Sequence, residues 1–172
     1  MRVLRVVAIA SVCLACSDST GLSLDGPSFM RARIDGSFFS LEEAQQDVLR
    51  WGWGGNVGAF LYVQGLPKTI APDSNKYIYM QVGAFTGPGT YTLTGSRNTV
   101  PAVNAATYGL FDSNVVSTQE FETGGQYTGT LRIIAVDTTS GTIIGTFAFS
   151  ASATLGPPGE AHITDGSFRL RH

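Results

Sequence analysis

The chain has 172 residues, a length that fits one globular domain. Only 14% of the residues are charged and the formal net charge is −2, which excludes the dense positive surface that nucleic-acid binding requires. Arg169 and Arg171 form the closest basic group, which is too small for such a surface. The 21 glycines and 10% aromatic residues are typical of short strands joined by tight turns, so the composition favours an all-β fold.

Residues 1–15 have the pattern of a secretory signal peptide. Arg2 and Arg5 precede an apolar run over 6–15 that is broken only by Ser11 and is too short to span a bilayer as a helix. Without the leader, nine Lys and Arg residues face thirteen Asp and Glu residues, so the formal charge is −4. We therefore expect an exported protein whose mature part does not cross a membrane.

The leader ends in Cys13-Leu14-Ala15-Cys16, which resembles the lipobox of bacterial lipoproteins. An ordinary leader cut near Ala15 would leave Cys16 as an exposed reactive thiol, whereas acylation removes that thiol and several acyl chains give stable anchoring. We expect cleavage before Cys16 and lipid attachment to it, with the membrane as a partner through this lipid. Ser17 after the cysteine is compatible with sorting to the outer membrane of the cell envelope.

Residues 16–28 are rich in Ser, Asp, Thr, Gly and Pro and are expected to form a flexible tether. A single β domain over 29–172 is expected to follow. Its first strand is predicted at 29–34, where apolar residues alternate with Arg31 and Arg33.

Turn and strand signals continue along the domain. Asp35-Gly36 between two strand-like runs predicts a two-residue hairpin turn, and 41–50 is the one stretch whose composition suits a short helix. Further strands are predicted at 59–63, 77–82, 90–93 and 106–111, followed by a long hairpin of 127–136 with 142–153 and a strand pair within 161–171 that reverses at Asp165-Gly166. This spacing predicts an antiparallel β-sandwich or flattened β-barrel of about eight to ten strands with at most one short helix.

Three segments of the domain, together with the leader, resemble a family of small bacterial lipoproteins of unknown function. The segments are 34–36 (Ile-Asp-Gly), 144–149 (Ile-Gly-Thr-Phe-Ala-Phe) and 163–168 (Ile-Thr-Asp-Gly-Ser-Phe). The resemblance implies a lipid-anchored β domain and transfers no catalytic residues.

Trp51 and Trp53 are separated by one glycine and followed by Gly54 and Gly55. Two tryptophans two residues apart lie on the same side of an extended chain. The first interpretation is that both plug one end of the fold; the second is that they stack on a glycan or protein ligand, because exposed aromatic rings are effective binding surfaces.

The sequence contains few residues in patterns typical of catalytic or metal-binding sites. The histidines are His162 and His172, neither near a G-x-S-x-G motif, and no zinc or EF-hand spacing occurs, so we expect no enzyme activity, no cofactor and no metal. Glu120 and Glu122 share one face if 118–123 is a strand, which fits an exposed sheet edge better than a carboxylate pair for glycoside hydrolysis. The leading hypothesis is a lipid-anchored, non-catalytic binding module; a structural envelope lipoprotein and a hydrolase with an unrecognised carboxylate site are the alternatives.

Overall fold

The computed structural model describes residues 21–54, 60–69, 75–99, 101–112 and 116–172, and it confirms the all-β fold. Within these residues eleven antiparallel strands form one sheet, and the helical structure is one 3-10 turn, Glu43–Gln45. The strands are β1 (Phe29–Ile34), β2 (Ser37–Glu42), β3 (Val48–Gly54), β4 (Phe60–Leu66), β5 (Lys76–Val82), β6 (Gly89–Leu93), β7 (Ala105–Phe111), β8 (Ser117–Glu122), β9 (Gly129–Asp137), β10 (Thr142–Leu155) and β11 (Glu160–Arg171).

The strands follow the order β2-β1-β11-β10-β8-β7-β5-β4-β3. The long strand β10 divides the sheet, because its first half pairs with β9 and its last residues pair with β8. β6 then extends the branch that begins at β9.

The sheet curls until its two ends pack against each other without closing into a barrel. Gly65 on β4 lies against Met30 of β1 and Leu41 of β2, where an added Cβ would approach Met30 Sδ within 2.8 Å. Alternate residues point into the space between the two halves, as Met30, Ala32 and Ile34 do on β1. One hydrophobic core is thereby enclosed between two layers, as expected for a flattened sandwich.

The predicted Asp35-Gly36 turn joins β1 to β2, and both of its residues have the positive φ that this hairpin turn requires (49° and 80°). The second Asp-Gly pair does not reverse the chain. Asp165 has a φ of 53° inside β11, where it forms a bulge, and the strand continues to Arg171. The predicted strand pair in 161–171 is therefore wrong: it is one long strand.

The segment expected to suit a short helix, 41–50, contains the end of β2, one 3-10 turn and the start of β3. The chain turns at Gln46 (φ 60°), and the Asp47 carboxylate accepts the N–H groups of Glu42 (2.9 Å) and Lys68 (3.1 Å). These side-chain bonds compete with helical hydrogen bonding. Together with β8, the additional strand β3 brings the count in the described residues to eleven rather than eight to ten.

Candidate functional site

Cys16 and the leader lie outside the described residues, so lipidation remains a prediction. The described part of the expected tether is attached to the sheet. The Arg169 guanidinium on β11 donates hydrogen bonds to the carbonyls of Ser23 (3.1 Å), Asp25 and Pro27 (2.8 Å). In the part of the chain that the structure covers, no helix has the length and apolar character to cross a membrane.

Trp51 belongs to the core. Its side chain is 5% exposed, and its indole N–H donates a 2.8 Å hydrogen bond to the carbonyl of Gly141 in the β9–β10 turn. The indole also meets the His172 ring edge-on, with 6.0 Å between ring centroids. A buried tryptophan whose N–H is already bonded agrees with the packing interpretation and leaves no ring face for a ligand.

Trp53 has the opposite environment, since it is 58% exposed near the end of β3. Its ring lies 5.5 Å from Phe85, and Phe85 lies 5.7 Å from Tyr91 on β6, measured between centroids. We call Trp53, Phe85 and Tyr91 the aromatic strip. The two tryptophans therefore have separate roles, although one strand carries both.

The Tyr91 hydroxyl holds the aromatic strip in place. It donates a hydrogen bond to the carbonyl of Gly87 and accepts one from the N–H of Thr86 at 3.3 Å. Gly87 has a φ of 120°, a conformation that side chains other than glycine rarely adopt. The turn after Phe85 is thus bonded to Tyr91 of β6, which keeps the Phe85 and Tyr91 rings side by side.

Phe85 and Tyr91 were not among the residues predicted from the sequence. Both lie more than thirty residues from Trp53 in the chain, and Phe85, in the turn between β5 and β6, meets the Trp53 ring only in the folded protein. The Phe85-to-Tyr91 segment, with Gly87-Pro88-Gly89 between the two rings, does indicate a tight turn flanked by aromatic residues.

Glu120 and Glu122 do not form the exposed edge expected from the sequence. β8 lies between β7 and β10, and Glu122 is 7% exposed and accepts a hydrogen bond from the Ser96 hydroxyl. Glu120 accepts a 2.5 Å hydrogen bond from the Tyr77 hydroxyl. Burial of Tyr77 and, as the second largest cause, this hydrogen bond raise the pKa of Tyr77 to about 12. Each carboxylate is therefore bonded to a hydroxyl group of the protein.

Within the described ranges no group of three or more His, Cys, Asp or Glu side chains is arranged to hold a metal ion. The sequence matches no protein-family model, no curated protein and no solved structure. The aromatic strip places the exposed Trp53 ring in a row with the half-buried rings of Phe85 and Tyr91.

Proposed function

We propose that the protein is a carbohydrate-binding lipoprotein of the cell envelope, anchored in the outer membrane by lipid on Cys16, which binds sugar through the aromatic strip. The observation that carries the proposal is the exposure of Trp53 (58%) in a fixed row with Phe85 and Tyr91. Aromatic rings present a rigid apolar face at low cost in side-chain entropy, and the C–H face of a sugar ring stacks on such a surface.

The size of the strip favours a small ligand over a protein partner. A stable protein interface buries about 800 Å² on each partner, whereas one aromatic side chain buries roughly 150–250 Å² even when fully covered. Phe85 and Tyr91 are already half-buried, so the strip offers less than three full side chains. This area matches a few sugar rings.

The binding test compares Trp53→Ala with Phe38→Ala. Phe38 on β2 is 67% exposed and serves as a matched aromatic control away from the strip. Titration calorimetry with soluble chito-, cello- and malto-oligosaccharides is expected to detect binding to the wild type, at least a tenfold loss of affinity in Trp53→Ala, and no change in Phe38→Ala. Binding of none of the three, or equal losses in both variants, would overturn the carbohydrate proposal and favour a structural envelope role.

Fluorescence locates the ligand. Because the chain has two tryptophans, Trp51→Phe leaves Trp53 as the sole indole emitter. We expect this variant to emit at the long wavelength of a solvated indole and to shift to shorter wavelength when the oligosaccharide is added. An unchanged spectrum at saturating ligand would place the sugar elsewhere.

The anchor is tested separately on the membrane-extracted protein. We expect an intact mass equal to the chain from Cys16 plus acyl groups, and partitioning into the detergent phase. The control Cys16→Ser should be soluble and unacylated. An unacylated wild-type protein in the soluble fraction would contradict anchoring while leaving the carbohydrate proposal intact.

A further inference from the structure

A serine, a histidine and a glutamate lie in a row on the outward side of β10 and β11, the serine within hydrogen-bonding distance of the histidine and the glutamate within ion-pair distance of it. Ser150 faces His162 in the strand register, and its Oγ lies 3.0 Å from His162 Nδ1. Glu160, two residues before His162, places Oε2 3.9 Å from the other ring nitrogen, Nε2. The order of nucleophile, base and acid is the order used in acyl transfer.

Two members of this array, Glu160 and His162, are held by further hydrogen bonds. The Tyr127 hydroxyl donates a 2.6 Å hydrogen bond to Glu160 Oε1, which leaves Oε2 directed to the histidine. The backbone N–H of His162 donates to Asp35 Oδ1, and the His162 carbonyl accepts the Asp35 N–H, both at 2.9 Å. The backbone that carries the imidazole is therefore held by two hydrogen bonds to Asp35.

The array is accessible to a substrate. Ser150 and His162 line a shallow hollow of about 410 Å³, together with Thr128, Ala148 and Thr164. The small side chain of Ala148 leaves room beside Ser150, and hydroxyl groups border the hollow. A small ester group fits this space.

We infer that Ser150 is an activated nucleophile that accepts an acyl group from an ester. Ser150 Oγ forms a bond to the acyl carbon while its proton passes to His162 Nδ1. The bond from that carbon to the alcohol oxygen then breaks, and His162 returns the proton to the leaving alcohol. Water, activated by His162 in the same way, releases the acid and restores Ser150. The reaction consumes one ester and one water and yields one acid and one alcohol.

The geometry also predicts that turnover is slow. The N–H of Ser150 donates to the carbonyl of Thr128 at 3.0 Å, so this amide is not free to stabilise an oxyanion beside its own hydroxyl group. Loss of one oxyanion donor costs on the order of 10²–10³ in rate. Covalent labelling of Ser150 is therefore a more direct readout than turnover.

The experiment treats the full chain with a fluorophosphonate, which loses fluoride when a serine oxygen attacks phosphorus, and maps the modified residue by peptide mass spectrometry. Ser150 is expected to be labelled at least tenfold faster than any other serine. Ser150→Ala should lose the label, whereas Ser152→Ala should keep it. Ser152 is a matched control because it lies two residues along the same strand and pairs with Glu160.

Two further variants test the base and the acid. His162→Asn keeps the backbone bonds to Asp35 and should slow labelling at least tenfold, as expected for loss of a general base. Glu160→Gln should slow it only a few-fold, because Glu160 and His162 are both about half exposed and 3.9 Å apart.

Labelling spread evenly over surface serines, or an unchanged rate in His162→Asn, would overturn the inference and leave Ser150–His162 as a simple cross-strand hydrogen bond. Mapping on the unmutated protein decides this even if a variant fails to fold. The inference is independent of carbohydrate binding by the aromatic strip.

Discussion

Two parts of the outer surface are built from similar polar residues but bury them to very different degrees. On β5 and β7 the outward side chains Tyr77, Tyr79, Gln81 and Thr107 are 3%, 8%, 2% and 0% exposed; we call this the covered face. On β10 and β11 the outward side chains Ser150, Glu160, His162 and Thr164 remain in contact with solvent; we call this the open face.

The cover on the first face comes from the chain segment before β7. Gln81 Nε2 donates to the carbonyl of Val103 (3.0 Å), and the Arg97 guanidinium lies 4.3 Å above the Tyr79 ring. The side chains of the covered face are therefore shielded by their own chain, and Tyr79 and Gln81 bond to each other there, whereas the side chains of the open face keep contact with solvent. Burial rather than residue type therefore distinguishes the two faces.

The largest expected loss in the free energy of unfolding comes from adding a methyl group where the covered face has no room for it. An alanine Cβ at Gly109 would lie 2.3 Å from the Tyr77 ring, which is stacked on Phe111 at 4.6 Å and bonded to Glu120. We expect Gly109→Ala to lower the free energy of unfolding by about 3 kcal/mol, measured by urea denaturation.

The control for this substitution is Gly89→Ala on β6, where an added Cβ meets no heavy atom within 4 Å. Its free energy of unfolding should change by less than about 0.5 kcal/mol. Equal losses in the two variants would mean that Tyr77 moves freely, and the covered face would lose its distinction from an open one.

A smaller loss of stability is expected on substitution of Gln81, which bonds the segment before β7 to the covered face. Gln81→Ala removes the donor to Val103 and the acceptor of the Tyr79 hydroxyl, leaving buried groups without partners. We expect a loss of about 2 kcal/mol by urea denaturation. Gln64 is the matched control, because its hydrogen bond to Arg50 (3.0 Å) is exposed, and Gln64→Ala should cost less than about 0.5 kcal/mol. If Gln81→Ala cost no more than Gln64→Ala, the segment before β7 would not protect the face beneath it.

The strands were predictable from the sequence where buried and exposed side chains alternate. β1 and residues 146–151 of β10 alternate between buried and more exposed side chains, and both strands were predicted correctly. β5 also alternates, with Ile78, Met80 and Val82 in the core, but nothing in its sequence shows that its other face, with Tyr77, Tyr79 and Gln81, is covered as well. The bulge at Asp165 was predicted as a turn because Asp-Gly suits both conformations.

The candidate sites were less predictable, because each depends on strand register. Trp53 was identified from its sequence motif, but its contact with Phe85 requires the turn between β5 and β6 to lie beside the end of β3. Ser150 was missed entirely, since only the pairing of β10 with β11 places it opposite His162. A bulge shifts that register between Phe147 and Phe149, so sequence spacing alone would not have placed the two residues together.

The smallest expected loss of stability is that of Tyr77→Phe, and its pH dependence tests whether the covered face excludes solvent. Tyr77→Phe removes the hydroxyl that donates to Glu120 and should lower the free energy of unfolding by about 1 kcal/mol at pH 8. The pKa of Tyr77 is raised from 10.0 to about 12 in the folded protein, first by burial and then by Glu120. Between pH 10 and 12 the unfolded chain therefore loses this proton while the folded protein retains it, and the wild type loses stability as the pH rises.

Urea denaturation of both proteins from pH 8 to 12 isolates this residue, because all other titrating groups are common to the two. The stability contributed by Tyr77 is complete below pH 10, so the advantage of the wild type over Tyr77→Phe should shrink as the pH rises towards 12. Tyr108, whose pKa burial also raises to about 12, remains in the variant and should preserve part of the decline. Parallel curves over this range would show that the Tyr77 hydroxyl titrates as a solvated phenol does, and that the face above it is open.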